Sequence, residues 1–330
     1  MTRTPDLQLR RIAILDDYQN CVSSLDAYRL LDGHEVFHFH ESMRDEDLLV
    51  RELQSFDTLV VIRERTALPA RILARLPSLR LISAAGVFPN VVDIDACRSL
   101  GIAAAQGSGV GAPTAELCWG LILASRRYLL QEAEGLRAGF WQRHLGRQLH
   151  GQQLGIWGYG RVGRQIARYG QAFGMRVGVW GSDRSRRDAA ADGFDIFESR
   201  DALFMESDVL SLHLKLVEET RGIITLADLD KMKADALLVN TSRSELIEPG
   251  ALKLALENGR PGFAAIDVFD HEPVDAGLES LLALPNVLAT PHIGFVERSN
   301  YEAYYRQAFN HLLRFEAGET QGFLFHPASS

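Results

Sequence analysis

Cysteine is scarce: Cys21, Cys97 and Cys118 are the only three in 330 residues. Their odd number and lack of metal-ligand spacing exclude a disulfide-stapled scaffold and a cysteine zinc site. Reduced thiols in a cytoplasmic protein are the simplest expectation. No apolar run approaches the roughly 20 residues needed to cross a bilayer. The polar start MTRTPDLQLRR leads into an apolar run, 12–15, too brief for a signal-peptide core. Excess positive charge is also missing. With a net charge of −8 the chain has no general attraction for nucleic acid or an anionic membrane. Low-complexity tracts and short-period repeats are absent, which excludes a solenoid.

What is present is a globular composition, 46% hydrophobic with 24% charged residues, on a chain long enough for two domains. Short β-like runs alternate with longer helix-like stretches, the pattern of a parallel α/β architecture. RIAIL, HEVFHFH, TLVVI, LRLISAA and GIAAA form a first strand series, with helix-like segments at 44–54 and 69–76. A helical block is expected over 114–130, then a polar connector containing Phe140 and Trp141. QLGIW, MRVGVW, DVLSLHL, ALLVN, FAAIDVF and NVLAT form a second series. The segment 297–317 has helical periodicity, and no strand is expected after it. Such a helix, crossing back, would complete the first domain from both chain ends. The expected division is 1–106 with 295–330, and 107–294 between them.

The run QLGIWGYGRVGRQIA carries Gly158, Gly160 and Gly163 in a G-x-G-x-x-G arrangement. Alone the pattern is weak, and a glycine-rich turn that binds nothing is its plain alternative. Here it follows a strand and opens a helix, the context that dinucleotide binding requires. The glycines permit a tight turn, backbone approach to a pyrophosphate and close helix–strand packing. The helix start supplies N–H donors to the anion. A carboxylate is expected at the end of the next strand, to bind the adenosine ribose. MRVGVW is instead followed by Gly181, Ser182 and Asp183, then Arg184, Arg186 and Arg187. Asp183 would reach the ribose from further along. The arginines would admit NADP, or simply form a solvated helix start. NAD is the expectation, with NADP open, and Gly181→Asp is the change that would oppose a 2′-phosphate.

Three strand-like runs each deliver one reactive side chain: ALLVNTSR ends at Arg243, AAIDVFDHEP passes Asp267 to Glu272, and VLATPHIG carries His292. In an open parallel sheet, ligands bind outside the carboxyl ends of the strands. A guanidinium grips a carboxylate bidentately. A positioned imidazole quenches charge developing on an oxygen, and a neighbouring carboxylate favours the imidazolium. Each residue alone has a quieter explanation: Arg243 as a strand cap, Glu272 in a proline turn, His292 bonding a backbone carbonyl.

With RERT, LRLISAAG, PTAELCWGLILASRR, LGIWGYGRVG, NTSRSELI, IDVFDHEP and TPHIG in order, the chain resembles the D-isomer-specific 2-hydroxyacid dehydrogenase family over nearly its whole length. The resemblance implies an α/β fold of two Rossmann-like, doubly wound parallel-sheet domains. The outer, flavodoxin-like domain would be discontinuous, with the active site in the cleft between the two. It also implies NAD(P)-dependent interconversion of small 2-oxo acids and D-2-hydroxy acids, usually in homodimers. Arg243 would bind the substrate, His292 would be general acid and base, and Glu272 would hold the imidazole. Gly158, Gly160, Arg161, Val162, Gly163, Ser182, Asp183, Thr241, Ser242, Asp267 and Gly294 would contact the cofactor, Asp267 at the carboxamide. Arg63, Gly86 and Val87 would join Arg243 at the substrate.

The pattern departs from the family on the substrate side. GVFPNVVD places Phe88 and Pro89 where a G-x-G-x-D-N-x-D stretch is common, which implies a reshaped pocket. Phe295 follows Gly294 where another glycine is frequent, and would pack over the nicotinamide or the substrate. Arg63 and Arg65 end a strand as anion contacts or as solvated charges. His38 and His40 share a strand face without a third ligand, so packing or solvent exposure is expected rather than metal binding. Trp141 is expected to pack or to form a dimer contact. The competing class is a catalytically idle, dinucleotide-sensing interaction protein of corepressor type on the same fold, and the complete Arg–Glu–His set argues for turnover.

Overall fold

A computed structural model describes residues 11–87, 91–109, 111–275, 277 and 279–327. They form two compact units. The first combines the described residues before Gly111 with those from Glu297 onward, and the second spans Gly111–Val296.

The first unit contains β1 (Arg11–Ile14), β2 (Glu35–His38), β3 (Thr58–Ile62), β4 (Leu81–Ala85) and β5 (Ala103–Gln106). These run parallel in the order β5-β4-β3-β1-β2. Every residue of β3 and β4 is buried, as in parallel strands covered on both faces. One face packs against Leu49, Leu53, Leu73 and Cys97. The helix Arg298–Glu316 docks on β4 and buries Tyr304, Tyr305, Phe309 and Leu312.

The chain does return to the sheet after that helix, contrary to expectation. Phe323–Phe325 forms a strand antiparallel to β5, with Phe323 opposite Ala105 and Phe325 opposite Ala104. Tertiary packing fixes it: the Phe323 ring stands 6.4 Å from that of Phe315 and 5.0 Å from that of His326. So short an edge strand has no alternation to read beforehand.

The second unit contains β6 (Gln153–Trp157), β7 (Arg176–Trp180), β8 (Asp195–Ile196), β9 (Val209–Leu212), β10 (Leu237–Asn240), β11 (Phe263–Ile266) and β12 (Val287–Ala289). All are parallel, in the order β12-β11-β10-β9-β6-β7-β8. Cys118, Ile122, Ile156, Ile166 and Val239 belong to one core cluster, and Trp157, Phe204, Leu210, Leu238 and Leu256 to another. Strand order reverses at β6. That reversal puts a binding crevice at the carboxyl ends of β6 and β9.

The helical block expected over 114–130 is broken. Ala112–Arg127 is one helix and Leu129–Arg137 another, with Tyr128 between them at φ 52°. Arg126 explains the break: its buried guanidinium donates to the carbonyls of Asp235 (2.7 Å) and Asp208. The Tyr128 ring turns away to stack on His144. Among the described residues no helix is long and apolar enough to cross a membrane.

The docked helix Arg298–Glu316 also makes a buried polar link. Ser83 Oγ donates to the Ala308 carbonyl (2.9 Å) and meets His311 Nδ1 (3.1 Å). Ser83→Ala should destabilise the protein by about 1–3 kcal/mol, because buried partners lose their hydrogen bonds. An unchanged urea midpoint would show that the helix docks without this link.

Candidate active site

The glycine turn lies at the crevice. Gly158 has φ 100°, and a Cβ there would stand 2.6 Å from the His213 carbonyl oxygen. A Cβ on Gly163 would stand 2.2 Å from the Gly158 carbonyl oxygen, so the helix Arg161–Ala172 approaches the turn only as glycine. Beside Gly160, by contrast, nothing lies within 4 Å. Open space in front of a helix start, whose first N–H groups have no intrahelical partners, fits a pyrophosphate. Arg161 lays its stem against Gly111, and the Val162 side chain packs toward the core. The turn is braced from behind. Tyr159 donates to Asp192 (2.8 Å), while Arg164 bridges Asp192 (2.7 Å) and Asp188 (2.6 Å).

Arg243 follows β10. Buried Asn240 shapes its turn, donating from Nδ2 to the Arg243 carbonyl (2.8 Å) and accepting from the Ser242 N–H (3.0 Å). Ser242 Oγ donates to the Leu212 carbonyl (2.7 Å), joining β10 to β9, and Thr241 is buried beside it. The half-buried Arg243 guanidinium donates to the Ser242 carbonyl (2.5 Å).

Asp267, Glu272 and His292 follow β11 and β12. Asp267 is 1% exposed, and its carboxylate accepts from Thr290 Oγ1 (2.6 Å) and the N–H groups of Ile293 (2.9 Å) and Gly294 (2.8 Å). Burial raises its pKa above the ordinary carboxylate value, and these donors pull the other way. Asp267 thereby clamps the loop that carries His292, whose own φ is 50°. His292 Nδ1 lies 2.5 Å from Glu272 Oε2, and Glu272 Oε1 accepts from the Phe269 N–H (3.0 Å). With Nδ1 engaged, Nε2 is the nitrogen left for a reacting group. Phe295 is buried edge-on against the His292 ring, with centroids 5.6 Å apart.

At the end of β7, Ser182 caps the helix Asp183–Ala191 by accepting from the Ser185 N–H (3.3 Å), and Asp183 is largely exposed. In the first unit, Arg63, Gly86 and Val87 stand together at the carboxyl ends of β3 and β4. Arg63 pairs with Glu64 at 3.3 Å, and its Cδ comes within 3.1 Å of where a Gly86 Cβ would be. Val87 is exposed. Phe88 and Pro89 lie outside the described residues. Arg65 is not a solvated strand-end charge: it donates to the Asp16 carbonyl (2.7 Å) and Tyr301 Oη (3.3 Å). His38 meets Asp17 and Tyr28 and is half-buried, while His40 stacks on it and is exposed to solvent. Trp141 is 76% exposed, so most of it faces solvent. Among the described residues, no group of three or more His, Cys, Asp or Glu could hold a metal ion.

One residue of the crevice escaped the sequence reading. His213 follows β9, its Nε2 lies 2.9 Å from Ser211 Oγ, and its carbonyl crowds Gly158. Burial pushes its pKa down to about 4. The signal was available, since DVLSLHL, like the other three runs, delivers a reactive side chain at a strand end.

Comparison with known proteins adds a consistent picture. The model of a family described as D-isomer specific 2-hydroxyacid dehydrogenase, NAD binding domain, matches residues 119–294. A hydroxypyruvate reductase of Thermotoga maritima is 34% identical over 273 residues, 82% of this chain and 88% of the relative. A glyoxylate reductase of Aeropyrum pernix is 34% identical over 297 residues, 86% of this chain and 87% of the relative. The crystal structure of a phosphoglycerate oxidoreductase from Vibrio cholerae o395 superposes with a TM-score of 0.92 at 46% identity, covering 94% of this chain and 100% of that one.

The low pKa of His213 has a consequence for stability. In the unfolded chain the imidazole titrates near 6.5, and in the fold near 4. Between those values the unfolded state binds more protons, so stability falls as pH is lowered through that window. His213→Gln should flatten the dependence of the urea midpoint on pH between them. A slope as steep as in the unsubstituted protein would assign it to another group.

Proposed function

This chain belongs to the D-isomer-specific 2-hydroxyacid dehydrogenase family, and we propose that His292, Glu272 and Arg243 carry its reduction of small 2-oxo acids. It is an NAD-dependent dehydrogenase. The observation that carries the assignment of roles is the 2.5 Å contact between Glu272 Oε2 and His292 Nδ1 at the carboxyl edge of the sheet.

NAD, when bound, supplies the two-electron redox chemistry at the substrate carbon. The turn 158–163, with Thr241 and Ser242 at the next strand ends, would hold it, and Ser182 and Asp183 would meet its adenosine ribose. Arg243 grips the substrate carboxylate and steadies the adjacent carbonyl oxygen, the pairing for which a guanidinium fork is suited. His292 Nε2 gives a proton to that oxygen in reduction and takes it back in oxidation. Glu272, itself fixed by the Phe269 N–H, keeps the imidazole oriented through Nδ1. Asp267 acts at one remove, by fixing the loop, and Gly294 supplies one of its donors. Arg63, Gly86 and Val87 of the first unit would contact the substrate. Relatives named for hydroxypyruvate and glyoxylate reduction make acids of that size the candidates. A sensor that never turns over has no use for a braced imidazole–carboxylate pair.

A panel of small 2-oxo acids with NADH should therefore give absorbance loss for at least one. His292→Gln should lower kcat about 10²–10⁴-fold, the share expected of a general acid, with NADH affinity nearly intact. Equal loss of cofactor binding in that variant would make His292 structural. Tight NADH binding without turnover on any acid would favour the sensor.

A second copy of the chain is the proposed partner. Leu136, Phe140, Trp141 and Leu145 are all more than half exposed on one stretch of the second unit, with Leu145 at 94%. Large apolar side chains left this exposed so near one another in sequence support an interface there. Replacing Trp141 and Leu145 by aspartate should yield monomers in light scattering, and an unchanged mass would locate the interface elsewhere.

A further inference from the structure

Apart from the strand-end set described above, the second unit holds a cleft of about 240 Å³ between the segments 244–253 and 266–270 with 279–281. We propose that this cleft is a second binding site, for a small apolar amine in its ammonium form. Its volume is far above the ~10–15 Å³ that one water needs, and just short of the roughly 300–1,000 Å³ of pockets for drug-sized ligands. A compound with one alkyl or aryl body and one charged group fits that scale. Its binding does not depend on the roles proposed for His292 and Glu272.

The floor selects the body. Ile247, Leu252, Ile266, Val268 and Phe269, each below a tenth exposed, line it together with the half-buried Leu281. Ile266 ends β11 and Leu252 belongs to the helix Ala251–Glu257, so sheet and helix together hold the hollow open. A hydrocarbon body seated there removes apolar surface from water on both sides. The Phe269 N–H also holds Glu272 (3.0 Å), so an occupant against Phe269 borders the His292 pair without entering it.

The rim selects the charge. Glu248, Asp270 and Glu279 stand around the cleft against Lys253, the one basic side chain among the described lining residues. Lys253 is already paired with Glu257 one turn on. Glu279 accepts from the Leu281 N–H (3.0 Å) with one oxygen and keeps the other. Glu248 and Asp270 are exposed, and among the described residues neither has an ion-pair partner. An ammonium group whose body lies on the floor therefore meets three carboxylates and a lysine that is already neutralised. A carboxylate or phosphate ligand would meet like charge, and a zwitterionic amino acid would set its carboxylate against the same rim. An uncharged alcohol of the same shape gains only the floor. An acidic rim alone would hold nothing but solvated cations, whereas over an apolar hollow it selects an amphipathic one.

Phenethylamine is the probe, with 2-phenylethanol and 3-phenylpropionate as its neutral and anionic counterparts, in ligand-observed NMR titrations of the whole protein at low salt. The amine should saturate one site with a Kd of about 1 mM or tighter, the alcohol should bind at least about tenfold more weakly, and the acid should not bind. The double variant Glu248→Gln/Asp270→Asn, at two exposed positions, should weaken the amine about tenfold, and high salt should weaken it too. Ser280→Phe, which fills the cleft from its exposed edge, should abolish binding. Saturating NADH should leave the amine Kd unchanged. No saturation below about 10 mM, equal binding of amine and alcohol, or displacement by NADH each overturns the proposal. So does a double variant that holds the amine as tightly as the unsubstituted protein. Amine binding by a protein that reduces no 2-oxo acid would remove the proposed function and leave this site standing, whereas reduction without amine binding removes only the site.

Discussion

The arrangement depends on a buried carboxylate. Asp267 lies where an unanswered charge would be strongly destabilising, and its three donors all come from the segment 290–294. That requirement fixes the loop, because moving it would strand the carboxylate. The loop in turn holds His292 at a φ of 50°, a conformation that a non-glycine residue keeps only when its surroundings over-determine it. The side-chain torsions are then left to fix, and the contact of Glu272 with Nδ1 orients the ring.

Neighbouring strand ends extend the same constraint. The Asp267 N–H donates to the Asn240 carbonyl (3.0 Å), and the Thr290 N–H to the Ile266 carbonyl (2.9 Å). The ladder therefore runs past the strands into the loops. Asn240 uses its side chain to shape the turn before Arg243, and Ser242 ties that turn back to Leu212. Loops that carry chemistry are usually the mobile part of a fold. These are extensions of the sheet, so three side chains from three strands are placed by one rigid body.

Much of this was legible in the sequence because it rests on short-range pattern. Parallel strands covered on both faces read as continuous apolar runs, and TLVVI and ALLVN are such runs. The glycine turn was legible from its strand–turn–helix context. The positions of Arg243, Glu272 and His292 stood out as polar residues delivered at strand ends. What escaped depends on partners far along the chain. The break at Tyr128 needs Arg126 to find carbonyls of Asp208 and Asp235, and the strand Phe323–Phe325 needs its aromatic neighbours. The clamp at Asp267 was invisible for the same reason, and resemblance had suggested only a cofactor contact. At Gly181 the missing carboxylate could be read, but the φ of 152° that strains one there could not.

The two ends of the candidate cofactor site are built to opposite rules. At the His292 end Asp267 is buried and Glu272 is exposed, and every carboxylate oxygen of the two has a donor or a ring nitrogen. Removing a donor to Asp267 leaves a buried carboxylate short of a partner, so such a substitution propagates into the loop. At the ribose end Asp183 and Arg184 are largely exposed on the first turn of a helix already capped by Ser182. A charge can be changed at Arg184 with no packing to disturb and water at hand to compensate. The turn at Asp183 and Arg184 thus tolerates single surface substitutions, while the His292 imidazole is tied to Glu272 beside the strand ends.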